Sequence, residues 1–208
     1  SDKEIKIRLD ILKLTKKELG SDHPDTLQAQ NKLALLYQDK EVYKKAETFF
    51  QRILYIREKV LGPDHPDTAT TINDLAQLFR EQGLYSKAQP LFQRSLEIRE
   101  KILGPDHPDT AIVLTNLAFI NNERGLYNKA QRLYRRALRI IDEALVPDHP
   151  NTAISLSKLG SLYSIKGDYD MAEPLFQRSL DIRENIFGSN HPDTAISLYN
   201  LAFIYNKL

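Results

Sequence analysis

The sequence contains no cysteine, so the chain can form neither a disulfide nor a metal site with thiolate ligands. It also has almost no net charge: 29 basic and 28 acidic residues leave +1 at pH 7, which gives no electrostatic basis for binding nucleic acid or an anionic membrane. No apolar run is long enough to span a bilayer, and the stretch SDKEIKIRLDILKL lacks the apolar segment of a secretory signal. These absences fit a reducing cytosol, and we expect a cytoplasmic protein.

All the histidines of the chain stand in one repeated phrase. The residues LGPDHPDTA begin at Leu61 and again at Leu103, and looser copies begin at Leu19, Leu145 and Phe187. The phrase places a histidine every 42 residues, at His23, His65, His107, His149 and His191. Either the histidines form a row of chemical sites or they mark the joints of a structural repeat.

The residues between the joints have the apolar spacing of amphipathic helices. Ile72, Leu75 and Phe79 recur at i, i+3 and i+7, and a second stripe follows Gly83, which is suited to the left-handed conformation that ends a helix. A period of 42 residues is typical of an array whose units cannot bury their apolar faces alone. We therefore predict an all-α solenoid of stacked antiparallel helix pairs.

The pattern predicts about ten helices. Their expected bounds are 2–19, 24–39, 43–60, 66–81, 85–102, 108–123, 127–144, 150–165, 169–186 and 192–207. A half repeat (1–19) comes first, four full repeats follow (24–60, 66–102, 108–144 and 150–186), and a half repeat (192–208) comes last. We expect one solenoid segment that is part of a longer protein.

Several of these residues carry a resemblance to a known family. The series Leu75-Ala76, Phe79, Gly83, Tyr85, Ala88 and Phe92 resembles the tetratricopeptide repeat. The 42-residue form, with LGxDHPxT joints and second helices of the type YxKAExLFxRxLxIRE, is similar to the repeats of kinesin light chains and related bacterial proteins. The resemblance implies a right-handed superhelix whose first helices line a concave side.

The joint interpretation of the histidines excludes a metal site between them. A zinc site needs ligands within about 2.0–2.2 Å of the ion, and helix layers about 8–10 Å thick separate successive histidines. We expect Asp and Thr to supply capping oxygens, proline to set the start of the helix, and the imidazole to pack or bond at the turn. We predict neither a metal nor a cofactor.

The sequence also lacks the motifs of an enzyme. It has no G-x-S-x-G, no glycine-rich phosphate loop and no H-E-x-x-H. Carboxylates flank arginines on second helices, as Asp181 and Glu184 flank Arg183, and we interpret these groups as a solvated face. We therefore predict a protein without catalytic residues.

What remains is the binding of another protein. The resemblance places the ligand on non-core positions of the first helices, where amides can pair with a peptide backbone and apolar groups can form side-chain pockets. Asn31, Asn73, Asn116 and Asn200 resemble asparagines that contact cargo peptides in kinesin light chains, and Arg80 matches a basic groove position. The complete candidate set is Asn31, Asn73, Gln77, Arg80, Ile112, Thr115, Asn116, Phe119, Asn122, Ser157 and Asn200. We expect Asn73 and Asn116 to be partly exposed.

Some positions depart from the pattern, and two functions stay open. Glu41 replaces the glycine between the helices of the first full pair, Asn121 stands at a packing position, and Asp74 occupies an asparagine position of the groove.

The first hypothesis for the function is a scaffold that binds an extended peptide or partner segment. The alternative is a structural or regulatory arm of a larger signalling protein, which packs on its own chain or self-associates through its terminal helices. The identity of the partner does not follow from the sequence.

Overall fold

A computed structural model describes residues 2–144 and 149–208, and these residues form ten α-helices and no strand. The helices are α1 (Asp2–Leu19), α2 (Pro24–Asp39), α3 (Tyr43–Val60), α4 (Pro66–Glu81), α5 (Tyr85–Leu103), α6 (Pro108–Glu123), α7 (Tyr127–Ala144), α8 (Pro150–Ile165), α9 (Tyr169–Phe187) and α10 (Pro192–Tyr205). The predicted helices are confirmed, and the fold is a helical repeat solenoid. The start of the fourth joint phrase, 145–148, lies outside the described residues.

The chain divides into two compact units, Ser1–Ile102 and Leu103–Leu208. In unit 1, α2 packs against α1 and α3, and α3 packs against α4. In unit 2, each helix from α6 to α10 packs against its neighbour in the sequence. The even-numbered helices are the first helices of the repeats, and the odd-numbered helices are the second.

The core of each unit is built from the apolar stripes of these helices. In unit 2, Tyr134 and Phe176 are buried among small and branched residues of α6, α8, α9 and α10. A Cβ on Gly160 would lie 3.1 Å from the Phe176 ring, so α8 and α9 approach closely there, and a side chain would require the ring to move by a few tenths of an ångström. In unit 1, Ile72 and Phe92 are fully buried. The polar side chain at Asn121 is also buried, and its amide donates to the Leu117 carbonyl (2.7 Å).

The turn between the two helices of a pair needs a residue with positive φ. Gly83 supplies it in the second full repeat (φ +71°), whereas Glu41 adopts φ +58° at the corresponding place of the first. A side chain in the left-handed region costs roughly 1–2 kcal/mol, so the first full pair tolerates strain that glycine avoids elsewhere.

The joints are closed by the histidines themselves. Each histidine precedes the proline that begins a first helix, and its Nδ1 accepts a hydrogen bond from the backbone N–H two residues later, as His65 does from Asp67 (3.1 Å). The same bond forms at all five histidines, with N···N distances of 3.1 or 3.2 Å. The expectation that Asp and Thr supply the capping oxygens is wrong: the Thr68 hydroxyl donates backwards to the Gly62 carbonyl (2.9 Å). A histidine caps each first helix, and Thr26, Thr68, Thr110 and Thr194 bond back to the glycine carbonyl of their joint.

Arginines of the second helices bind the next repeat. Arg57 of α3 donates to the Asp67 carbonyl and to the Thr71 hydroxyl of α4, both at 2.8 Å. Arg183 of α9 donates in the same way to the Asp193 carbonyl (3.1 Å) and the Ser197 hydroxyl (2.7 Å) of α10. Arg183 is buried, and its desolvation lowers its pKa. The interpretation of this arginine as part of a solvated face is therefore wrong.

Candidate functional site

In unit 1, the first helices α2 and α4 share a polar face centred on Asp74. The amides of Asn31 on α2 and Asn73 on α4 hydrogen-bond to the Asp74 carboxyl group. The Oδ1 atoms of both asparagines are buried without a hydrogen-bond partner in the described part of the chain. Two candidate residues thus meet across adjacent helices, on either side of a carboxyl group.

The environment of Asp74 changes its protonation. Burial raises the pKa of Asp74 to about 6, and this effect outweighs the hydrogen bond from Asn31 and the charges of Arg57 and Arg99, which lower it. The carboxyl group therefore changes between its protonated and ionised forms near pH 6, and the negative charge of this face falls as the pH drops through that value.

The same face continues toward the ends of α2 and α4. Glu81 accepts hydrogen bonds from Gln38 of α2 (2.7 Å) and from Gln77 of α4 (3.4 Å). Gln77 and Arg80 are half-buried, so both contribute surface to the face. In unit 1 the candidate residues Asn31, Asn73, Gln77 and Arg80 therefore lie on one surface, which we call the first-helix face.

In unit 2 the first-helix face is formed by α6 and α8. Lys158 of α8 places its ammonium group 5.4 Å from the centre of the Phe119 ring on α6, within the range of a cation–π interaction. Ile112 is exposed, while Thr115 and Asn122 are half-buried. The Asn122 amide donates to Glu123 (3.4 Å), and its Oδ1 has no partner among the described residues. This face is more apolar than its counterpart in unit 1.

Three candidate residues lie deeper than the sequence suggests. Asn73, Asn116 and Ser157 are 9%, 7% and 8% exposed, so the expectation of a partly exposed site at Asn73 and Asn116 is wrong. The Ser157 hydroxyl contacts that of Ser179 on α9 (2.7 Å), which in turn donates to the Ala153 carbonyl (2.9 Å). Ser157 therefore serves the packing of α8 on α9. Asn200 on α10 is half-buried.

The candidate set omitted two residues of the first-helix faces. Glu81 joins α2 to α4, and Lys158 covers the Phe119 ring. The sequence could have identified both as residues of the face by their positions in the repeat. Glu81 follows Gln77 by four residues, and Lys158 stands one repeat after Asn116. Contacts across neighbouring helices decide their roles, and spacing within one helix does not report those contacts.

The described residues contain no group of three or more His, Asp or Glu side chains that could hold a metal ion. Among the helices described, none combines the length and apolar character needed to cross a membrane.

Comparisons with known proteins agree with this architecture. A family model for the tetratricopeptide repeat matches residues 25–101, 82–143, 109–185 and 155–208. The crystal structure of BtubC (BKLC) from P. vanneervenii matches with a TM-score of 0.85 at 23% identity, covering 99% of this chain and 83% of that one. The nearly identical TPR-like repeats of a kinesin-light-chain-like protein from Podosopora anserina match with a TM-score of 0.75 at 25% identity, covering 89% of this chain and 88% of that one. A point variant of the latter gives a TM-score of 0.76 at 25% identity, with 89% and 87% covered. No curated protein matches the sequence.

Proposed function

This chain belongs to the tetratricopeptide repeat family, and from that premise we propose that it is a scaffold whose first-helix faces hold an extended segment of a partner protein. Repeats of this family generally mediate contacts between proteins and are typically not enzymes. The observation that carries the proposal is the pairing of face residues across adjacent first helices, Asn31 with Asp74 and Phe119 with Lys158. Within each unit, such contacts join two neighbouring first helices into a surface that an extended chain can follow.

The chemistry of the faces fits a peptide backbone. The Oδ1 atoms of Asn31, Asn73 and Asn122 have no hydrogen-bond partner among the described residues, and a buried acceptor without a partner is costly. Rotation of these amides would let them accept from the N–H groups of an extended segment. In unit 2, Ile112 and Phe119 offer apolar contact for alternate side chains of that segment.

The proposal is tested with peptides that an array screen identifies as binders of the whole chain. Gln77→Ala on the face of unit 1 is compared with Gln93→Ala, since both glutamines bond to a glutamate four residues on, and Gln93 lies on second helix α5. Ile112→Ala on the face of unit 2 is compared with Ile186→Ala on α9, since the two isoleucines are 40% and 38% exposed. We expect the face variants to lose roughly 1–2 kcal/mol of binding free energy by calorimetry and the controls to lose almost none. Equal affinities for all four variants would exclude the first-helix faces as the binding surface.

A second candidate is favoured by exposed apolar side chains on α1 and α10. Ile7, Ile11 and Leu14 form an exposed stripe on α1, and Ile196 and Tyr199 are exposed on α10. Such surface is typical of an arm that packs on another part of its own protein or on a second copy. Light scattering over a range of concentrations measures the second case. A mass that stays at the monomer value contradicts self-association. A mass that rises with concentration in the wild type, and stays at the monomer value in an Ile11→Ser, Tyr199→Ser variant, supports it.

A further inference from the structure

A cleft of about 540 Å³ opens on unit 2, and none of its lining residues belongs to the first-helix face. It is lined by residues 125–126 of the turn before α7, by the first residues of α7 (127–129), by Arg132 about one turn further along α7, and by Lys166 directly after α8. Three cationic side chains, Lys129, Arg132 and Lys166, line this basic cleft, and no carboxylate does.

These cations are not used by the fold. Within the described part of the chain, the side chains of Lys129 and Arg132 make no hydrogen bond or ion pair, and Lys166 donates to the neutral amide of Gln131 (3.3 Å). Further along α7 the arginines are engaged: Arg136 donates to the Pro105 carbonyl (2.9 Å) and Arg139 to Asp106 (3.0 Å). The positive charge at the start of α7 therefore has no structural partner comparable to theirs.

The end of the helix adds to this charge. α7 begins at Tyr127, and the N–H groups of its first turn give that end a partial positive charge. No acidic residue stands in this turn, and Lys129 adds a like charge to it. A cation at this end of a helix costs stability rather than adding to it, so the arrangement is better explained by an anion that it receives.

Neither adjacent repeat carries this combination of cations. One repeat later, the positions of Lys129 and Arg132 are taken by Met171 and Pro174, and one repeat earlier a proline, Pro90, stands in the place of Arg132. Because the repeats share their backbone pattern, the basic cleft arises from side-chain identity and not from a feature that every repeat must have.

We propose that the basic cleft binds an anionic side chain of a partner protein, a carboxylate or a phosphate group. The planar guanidinium of Arg132 can donate two parallel hydrogen bonds to either oxyanion, while Lys129 and Lys166 supply point charges. The exposed side chains of Leu126 and Tyr127 border the cleft and can contact apolar groups next to the anion. Three cations on a chain of net charge +1 suit one acidic side chain better than the many phosphates of a nucleic acid.

The test uses the whole chain and three labelled peptides of one sequence, which carry two adjacent glutamates, phosphoserines or glutamines. Inorganic phosphate serves as competitor, and fluorescence anisotropy measures affinity at two salt concentrations. The double variant Arg132→Gln, Lys166→Gln removes two cations from the cleft. Lys16→Gln, Lys17→Gln removes the same charge from the exposed end of α1 and is the matched control.

We expect the wild type and the control to bind at least one anionic peptide at least tenfold more tightly than the glutamine peptide, and the cleft variant to lose this preference. Binding of the phosphoserine peptide alone assigns the cleft to phosphorylated partners, and binding of both peptides assigns it to acidic segments in general. Equal affinities in the cleft variant and the control, or no preference for either anionic peptide, overturn the proposal. So does tighter binding of a single-stranded oligonucleotide of equal charge. The variants Gln77→Ala and Ile112→Ala leave the basic cleft intact, so this result is independent of the first-helix faces.

Discussion

At the scale of single residues, Asp74 shows how a repeated position acquires its own chemistry. Other copies of this position hold Lys32, Asn116, Lys158 and Asn200, so this copy alone places a carboxyl group at the position, where it bonds to the amides of Asn31 and Asn73. Its raised pKa follows from burial that its polar neighbours offset in part. The first-helix face of unit 1 therefore changes charge in a pH range where ordinary aspartates stay ionised.

The protonation of Asp74 predicts how stability depends on pH. Between the ordinary pKa of 3.8 and the folded value of about 6, the folded chain holds a proton that the unfolded chain has released. The contribution of this group to the free energy of unfolding is therefore full below about pH 4 and falls by about 3 kcal/mol as the pH rises through 6. Asp74→Asn should remove this slope and stabilise the protein at pH 7.5.

Urea unfolding at pH 4, 5, 6 and 7.5 measures this effect. Asp39→Asn, which changes an exposed carboxyl group on the neighbouring α2, is the control and should keep the wild-type profile. A profile of Asp74→Asn that parallels the wild type would show that Asp74 titrates as an ordinary carboxyl group.

At the scale of a helix, the histidine cap decides where each first helix begins. His65→Ala removes the acceptor of the Asp67 N–H and should lower the free energy of unfolding by about 0.5–2 kcal/mol, the usual cost of losing an N-cap. His65→Asn retains a capping oxygen and should restore most of the loss. If both variants unfold at the same urea concentration, the imidazole stabilises the joint by some contact other than the cap.

The contact between successive helices depends on the buried arginines. Arg183→Ala removes donors to the Asp193 carbonyl and the Ser197 hydroxyl, and should cost about 2–3 kcal/mol because those acceptors lie in a desolvated interface. Arg178→Ala, five residues earlier on α9, breaks a half-exposed pair with Asp142 and should cost at most about 1 kcal/mol. Chemical denaturation compares the two, and equal losses would contradict the role assigned to Arg183.

At the scale of the whole molecule, the role of the five histidines as caps predicts that metal ions do not change the thermal stability of the protein. Each Nδ1 accepts a backbone hydrogen bond at its own joint, so coordination through that atom would have to break the cap. Zinc or a chelator should leave the thermal midpoint unchanged, since a metal that binds only the folded state must raise it. A rise of several degrees with one equivalent of zinc, measured by calorimetry, would restore the hypothesis of a row of metal sites.

The period of 42 residues was sufficient to predict the architecture. Apolar spacing, the glycine of the turn and the proline of the joint act within a few residues along the chain, and each helix can be located from them. Repetition reduced the error further, because each copy tests the boundaries inferred from the others. The predicted and observed bounds agree closely for this reason, with α10 ending at Tyr205 rather than at 207.

The roles of polar side chains were decided by the tertiary structure. Arg183, Asn73 and Ser157 look like surface residues in the sequence, and the packing of the helices buries all three. The histidine was recognised as a joint residue, but its role as the cap became clear only from the distance between its Nδ1 and the backbone N–H. Helix spacing reports which side of a helix a residue occupies, whereas burial and hydrogen bonding depend on the residues that a neighbouring helix brings within about 3 Å.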